Sequence, residues 1–349
     1  DSTMVSFIHS PVAKRHHAAL ALKFPPQGQL PPDQWVPHSA GSSSEVSWDI
    51  PFAFAQLKSL IDDWLDQPGY AEALLSEMAE DPRGLQIDLE KDLIAQMKGR
   101  ISFSRSVTRP VSETSEKIVI SIPLVNAAVL HKLLKARLPR DSGIKPHTTK
   151  GKNDVWELLP PKKKGSQIPR QGFGQRNPPQ AANNAAVKRT INPGIAVVHG
   201  SFFYSSDWQY LADLVDSNWN LIQKLENSAS YQRVIGELNR MSAGEQGGVS
   251  SSQFIDLAES YRINYEMIRK NKIAQSETFL VRLIRSFARE DEPGDEPAPK
   301  NRINGANLPS FDTIEGKFGL GGYRVYTRDD GWMIYGCVLP PLAALAPPR

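Results

Sequence analysis

The sequence is short of cysteine, of net charge and of long apolar runs. Cys337 is the only cysteine among 349 residues, which excludes an intramolecular disulfide and a cysteine-cluster zinc site. The formal net charge is only +3, so the chain as a whole is not expected to attract nucleic acid. Because no apolar run reaches the roughly 18 to 20 residues that cross a bilayer, we predict no transmembrane span in this sequence.

Sequence motifs of established chemistry are missing as well. The seven histidines never form the zinc-protease pattern of two histidines four residues apart with a glutamate between them. No Gly-x-Ser-x-Gly elbow or Walker-type loop occurs, and Gly172-Phe173-Gly174 lacks the third glycine of a dinucleotide loop. We therefore predict no catalytic residue, no metal ligand and no cofactor. Carboxylates that converge only in the fold are left open, because adjacency in sequence does not place two carboxyl groups across a cleft.

Positive charge is concentrated in the middle of the chain. Residues 131–189 hold fourteen Lys or Arg against three Asp or Glu, so the remainder is acidic overall. Residues 160–189 are rich in Pro, Gly and Asn and show no hydrophobic periodicity, and we expect a disordered linker there. The basic residues of this linker are also candidate contacts for a polyanion. They are Lys162, Lys163, Lys164, Arg170, Arg176, Lys188 and Arg189.

Hydrophobic periodicity predicts alternating groups of strands and helices. A period of two predicts strands at 18–24, 42–50, 101–104, 117–122, 154–158, 194–198 and 201–205. A period near 3.6 predicts helices at 52–65, 70–80, 88–98, 125–138, 207–215, 229–241, 252–271, 277–290 and 310–318. Asp330-Gly331 between the apolar runs of 322–339 predicts a β-hairpin with a type I′ turn. Helix, glycine and two strands recur at 88–122 and 310–339, which suggests a degenerate repeat.

Seven tryptophans are distributed along the chain. Most lie among Leu, Ile or Val and are predicted to pack in the core. Trp64 is one of these, because it shares a helical stripe with Leu57 and Ile61. Trp35, within the proline-rich stretch 25–37, and Trp219 are predicted to be exposed. Both are candidate aromatic contacts for a ligand or partner.

These elements predict an α+β fold in which antiparallel strands pack against helices. We expect a first α+β domain at 1–216, interrupted by the linker at 160–189. A mainly helical region at 217–349 would follow, closed by the C-terminal β-hairpin at 322–339. The chain starts at Asp1 without a charged-then-apolar leader, so we expect a processed product or a piece of a longer chain.

Four strings of the sequence resemble a bacterial family. They are Ser47-Trp48-Asp49-Ile50, Gly84-Leu85-Gln86-Ile87-Asp88-Leu89, Gly99-Arg100-Ile101-Ser102-Phe103 and Asp329-Asp330-Gly331-Trp332. Together they are similar to large conserved proteins of planctomycete bacteria, which are described only as hypothetical, membrane-associated or secreted. The resemblance touches most of 42–339 and implies the C-terminal half of a longer exported protein. It assigns no active-site residue and no cofactor.

The sequence leaves three hypotheses for function. We favour a non-enzymatic envelope or secreted protein that binds a partner, such as another envelope protein, or acts as a scaffold. Its location would be extracytoplasmic, with a cytoplasmic location as the alternative. The second hypothesis is a hydrolase that acts on a glycan or peptide through carboxylates. The third is a polyanion binder that works through the basic linker, with nucleic acid disfavoured as the polyanion.

Overall fold

The structure of the protein is a computed structural model that describes residues 2–11, 16–81, 84–160, 191–246, 248–272, 278 and 304–342. The strands are, in chain order, β1 Ser2–His9, β2 Ser42–Ser47, β3 Arg100–Val107, β4 Glu116–Pro123, β5 Ile144–Thr148, β6 Asp154–Leu158, β7 Gly194–Val198, β8 Ser201–Ser205, β9 Val249–Asp256, β10 Leu320–Arg328 and β11 Gly331–Leu339. They form one eleven-stranded sheet in the spatial order β1-β11-β10-β9-β2-β3-β4-β8-β7-β6-β5. Every neighbouring pair is antiparallel.

Helices accompany this sheet, and the predicted α+β class is confirmed. They are α1 His17–Leu20, α2 Ile50–Leu65, α3 Tyr70–Glu80, α4 Ala127–Arg137, α5 Trp208–Asp216, α6 Ala229–Met241, α7 Leu257–Arg269 and α8 Phe311–Ile314. Side-chain oxygens cap several of them, because the first backbone N–H groups of a helix have no partner inside it. Asp207 caps α5, Ser228 caps α6 and Asp256 caps α7.

The two faces of the sheet carry separate cores. On one face α5 and α6 pack against the strands, and Leu211 and Leu238 of these helices lie in one buried cluster with Phe203 of β8. On the other face Leu130 of α4 packs with Trp156 of β6. Because successive strand residues point to opposite faces, both cores can be supplied by the same strands.

The pair β9–β2 lies near the middle of the sheet and joins the two parts that the sequence suggested were separate. Hairpin β3–β4 follows on the β2 side and hairpin β10–β11 on the β9 side, so the two copies of the suggested repeat occupy corresponding positions. Strands from both sides of residue 216 therefore pair within one sheet. The region 217–349, which was expected to be mainly helical, contributes three strands to it.

The proline-rich stretch 25–37 lies over the centre of the sheet, and this corrects the prediction that Trp35 is exposed. Trp35 is only 1% exposed, and its Nε1 donates a hydrogen bond to Ser121 Oγ at 2.9 Å. Its ring meets the Phe203 ring edge-on, with 5.8 Å between centroids. The strand residues below are small, such as the fully buried Ser102, and they leave room for a segment without regular structure.

Several local predictions are also corrected. The helix predicted at 252–271 begins only at Leu257, because residues 249–256 form β9 between β10 and β2. The strand predicted at 18–24 overlaps the helix α1 and has no strand in its place, and the helix predicted at 88–98 is a π-helical turn followed by a 3-10 turn. The turn of the predicted hairpin is Asp329-Asp330, and neither residue has positive φ, so it is not of type I′. The helix predicted at 277–290 lies outside the described residues apart from Thr278.

Candidate functional site

Helices α2 and α3 form a hairpin whose ends follow from the local sequence. The Asp49 carboxylate accepts the backbone N–H of Phe52 at 3.2 Å, and Pro51 stands in the first turn, where its missing N–H costs nothing. Helix α2 stops where Asp66 adopts a left-handed φ of 52°. Gly69, with φ of 81°, precedes α3. The connection is short, so the start of α3 lies beside the second half of α2.

Polar contacts fix the sides on which the two helices meet. Lys58 of α2 binds the Glu72 carboxylate of α3 at 2.9 Å. The Asp62 carboxylate accepts backbone N–H groups of Ala71 and Gly69, each at 2.8 Å. These hydrogen bonds, first that of Ala71 and then that of Gly69, hold the pKa of Asp62 below its usual range, so the carboxylate stays ionised near neutral pH. The side of α2 that carries residues 58 and 62 therefore faces α3.

Both helices of the hairpin carry apolar side chains that are open to solvent. Spacings of three, four and seven residues place these side chains in one row on each helix. We call this surface the hairpin apolar face. It consists of Leu57, Leu60, Ile61, Trp64 and Leu65 on α2 and Tyr70, Leu74 and Met78 on α3, all of which are exposed. Trp64 is the most exposed of them, at 82%.

The hairpin apolar face has little cover from the described part of the chain. Helix α2 buries only Ile50 and Ala53, near its start, and α3 buries only Ala71. The elements that α2 contacts most are α1, α3 and the 3-10 turn Ile94–Gln96, and not the sheet. A surface helix of a globular protein normally buries its apolar stripe, and a contiguous exposed apolar patch marks an interaction surface.

The hairpin that carries this face is rich in acidic residues. Residues 50–81 contain seven carboxylates and a single basic residue, Lys58. The seven are Asp62, Asp63, Asp66, Glu72, Glu77, Glu80 and Asp81. An apolar surface with a negatively charged rim selects partners whose own apolar surface is flanked by positive charge.

The aromatic residues predicted as contacts lie elsewhere. Trp35 is buried, as described above. Trp219 is half-buried, and its Nε1 donates to the Leu214 carbonyl at 3.0 Å while its ring lies against His199. Neither forms an exposed aromatic platform. The seven basic residues predicted as polyanion contacts lie outside the described residues.

The sequence did not reveal Trp64 as a candidate contact residue, because its helical stripe predicts a surface that faces the core. Periodicity identifies an amphipathic helix but does not reveal whether another element covers its apolar side. The dense acidic residues on both sides of the stripe are the one signal in the sequence that could have indicated an exposed face.

Acidic residues in the clefts of the described residues already serve structural roles. In a cleft of about 250 Å³ that includes His38, Asp256 accepts the backbone N–H of Glu259 at 3.1 Å, and Glu259 pairs with Arg109. Burial raises the pKa of Asp256, but its carboxylate is committed to capping α7. Within the described ranges, no group of three or more His, Cys, Asp or Glu residues is placed to hold a metal ion.

No family model matches the chain, and neither a curated protein nor a solved structure matches it. Among the described residues, no helix combines the length and apolar character that crossing a bilayer requires. The chemistry of the hairpin apolar face has therefore to be inferred from its own side chains. They supply area for burial against another apolar surface.

Proposed function

We propose that this protein is a non-enzymatic binding module whose hairpin apolar face docks a protein partner through a basic amphipathic helix. The observation that carries this proposal is the row of exposed Leu, Ile and Trp side chains on α2 beside the exposed row on α3. A row of apolar side chains along a helix can pack against the apolar row of a second helix, ridge into groove. Full burial of an exposed Leu, Ile or aromatic side chain contributes roughly 1.5 to 3 kcal/mol. Trp64, which is 82% exposed, therefore has the most to contribute, and the other seven, 36 to 58% exposed, contribute less each.

Charge selects the partner class. The seven carboxylates of the hairpin, against one lysine, would repel a second copy of the same surface and an anionic lipid headgroup. They would attract Lys and Arg residues at the flanks of an apolar helix, which increases the association rate and orients the partner. Trp64 is the expected centre of the interface, because tryptophan dominates the binding energy of many protein interfaces.

Binding of a designed probe tests this proposal. A fluorescently labelled helical peptide of leucine and lysine in heptad repeats should bind the protein saturably, with a Kd on the order of micromolar by fluorescence anisotropy. Trp64→Ala should weaken this binding about tenfold or more, because it removes the largest exposed side chain of the face. Tyr261→Ala is the matched control, since Tyr261 is a half-exposed aromatic residue on α7, outside the face.

The alternative occupants give different results. A peptide in which glutamate replaces lysine should bind at least about tenfold more weakly; equal affinity would contradict the role of the acidic rim. Concentration-dependent dimerisation that Trp64→Ala abolishes would identify a second copy as the occupant. Binding to phospholipid vesicles that the same variant abolishes would identify a lipid surface. Unchanged peptide affinity in Trp64→Ala would refute the site.

The envelope or secreted location belongs to the same proposal. It is supported by the resemblance to planctomycete proteins described as membrane-associated or secreted. Fractionation of cells that express the full-length gene product should place it outside the cytoplasm. Recovery in the cytoplasmic fraction alone would remove this part of the proposal and leave the docking surface untouched.

A further inference from the structure

A second concave surface of the molecule is independent of the hairpin apolar face. A cleft of about 410 Å³ lies between α4, the turn that precedes β6 and the turn between β7 and β8. Its volume is in the range of small-molecule sites. Small apolar side chains of α4 and β7, such as Ala127, Ala128 and Val197, line part of it. Ionisable side chains line the rest, and two of them are histidines.

One acidic side chain in the cleft is shared by two neighbours. Lys135 Nζ lies 2.7 Å and His131 Nε2 lies 3.0 Å from the same oxygen, Asp154 Oδ2. Residues 127, 131 and 135 are spaced by four, so α4 presents all of them on one side. Asp154 is thereby engaged by two side chains of α4 and is the only acidic residue among those that line the cleft.

Lys152 is the second lysine that lines this cleft. Its ammonium group forms no ion pair with another described residue. Its backbone lies in the left-handed region, with φ of 64°, in a turn that Asp216 holds from behind. Asp216 accepts the backbone N–H of Gly151 at 2.8 Å and the side-chain N–H of Asn153 at 2.9 Å. The turn that carries Lys152 is therefore positioned by hydrogen bonds, even though the lysine itself is exposed.

His199 also lines the cleft. His199 and Gly200 have φ of 49° and 79° and form the two-residue turn between β7 and β8, which is a turn of the type I′ class. Asn-Gly is the pair that such a turn prefers, so the turn does not require an imidazole. The ring lies 4.3 Å from the Trp219 ring, and its Nε2 donates to the Val215 carbonyl at 3.3 Å. Nδ1 is therefore the ring nitrogen that remains for a ligand.

We propose that this cleft binds a small molecule that carries a carboxylate or phosphate group, held by Lys152 and His199 with its uncharged part against the alanine and valine side chains. Two lysines and one aspartate line the cleft, so its formal charge is positive even with both histidines neutral, and this balance favours an anion. The Lys152 ammonium would bind the anionic oxygens, and His199 Nδ1 would accept a hydrogen bond from a ligand hydroxyl or, when protonated, donate to the anion.

Titration with simple anions at fixed pH tests this site. Inorganic phosphate and acetate are added separately to the full chain, and backbone amide NMR shifts of residues 127–135, 149–154 and 197–200 are followed. Saturable shifts in these three segments together are expected, with a Kd in the millimolar range for such small probes. The anion with the lower Kd shows whether the cleft prefers the tetrahedral phosphate or the planar carboxylate of acetate.

Two variants and a control decide the assignment. Lys152→Ala and His199→Asn should each weaken binding about tenfold, and His199→Asn preserves the turn because asparagine suits its left-handed backbone. Lys132→Ala is the control. Lys132 is an exposed lysine of α4 that does not line the cleft, so this variant should bind the anions as the wild type does. The proposal is overturned if neither anion gives saturable shifts, or if both cleft variants retain wild-type affinity. Peptide binding at the hairpin is unaffected by either result, so the two proposals fail separately.

Discussion

Replacing Trp35 with alanine is expected to lower the free energy of unfolding by about 3 to 5 kcal/mol, measured by urea denaturation. The ring is 1% exposed, contacts Phe203 and holds a hydrogen bond to Ser121 under the stretch 25–37. Removal of the ring leaves a cavity between this stretch and the sheet, and the surrounding residues can close it only in part. Trp35→Phe keeps most of the ring and should cost less, about 1 to 2 kcal/mol, through the lost hydrogen bond and reduced volume.

Trp64 supplies the contrast to Trp35. Trp64→Ala should change the free energy of unfolding by no more than about 0.5 kcal/mol, because the side chain is 82% exposed and alanine is the better helix former. A loss comparable to that of Trp35→Ala would mean that Trp64 is buried in the folded protein. The hairpin apolar face would then not be an exposed surface.

Glu45 is expected to make stability depend on pH between about 4.5 and 7. Glu45 is 1% exposed in β2, and burial raises its pKa from 4.5 to about 7, although the Arg100 guanidinium and the Ser102 hydroxyl oppose this rise. The folded state therefore holds the proton more tightly than the unfolded state. The stabilisation from the protonated carboxyl is complete below pH 4.5 and is lost as pH rises through 7, by about 3 kcal/mol in total.

The variant Glu45→Gln isolates this contribution. Glutamine has the same shape and cannot ionise, so the free energy of unfolding of the variant should fall less steeply than that of the wild type across this pH range. Glu77→Gln, at an exposed position of α3, should leave the wild-type slope unchanged. Identical slopes for Glu45→Gln and the wild type would show that Glu45 titrates in the folded protein as it does in the unfolded chain.

Local sequence was sufficient for much of the secondary structure. The helices at α2, α3, α5 and α6 and the strands β4, β6, β7 and β8 were predicted from periodicity, because each has one apolar side and clear boundaries. Caps such as Asp49 and Ser228 and the left-handed Asp66 are local devices that act through the backbone of their own segment. Their effect does not depend on what the rest of the chain does.

Elements that depend on distant partners were not predictable in the same way. Strand β1 was missed, and residues 252–256 of β9 were assigned to a helix. Ser250 and Ser252 in β9 have no strong preference of their own, and pairing with β2 and β10 decides their conformation. The burial of Trp35 has the same cause, since it requires small serines on β3 and β4, far away in sequence.

The candidate site shows this limit most clearly. The stripe of Leu57, Ile61 and Trp64 was read correctly as one side of a helix, but its exposure is a property of the whole fold. The cleft beside α4 is built from three separated segments, and Asp154, Lys152 and His199 carry no motif that links them. Spacing within a segment is visible in the sequence, whereas proximity between segments is not.

Hydroxyl-radical footprinting of the tryptophans, with and without the leucine–lysine peptide, tests the docking surface most directly. In the free protein Trp64 should be oxidised much faster than Trp35, and saturating peptide should protect Trp64 while leaving Trp35 unchanged. Oxidation of Trp64 as slow as that of Trp35 in the free protein, or no protection of Trp64 by bound peptide, would contradict the assignment of the hairpin apolar face as the partner surface.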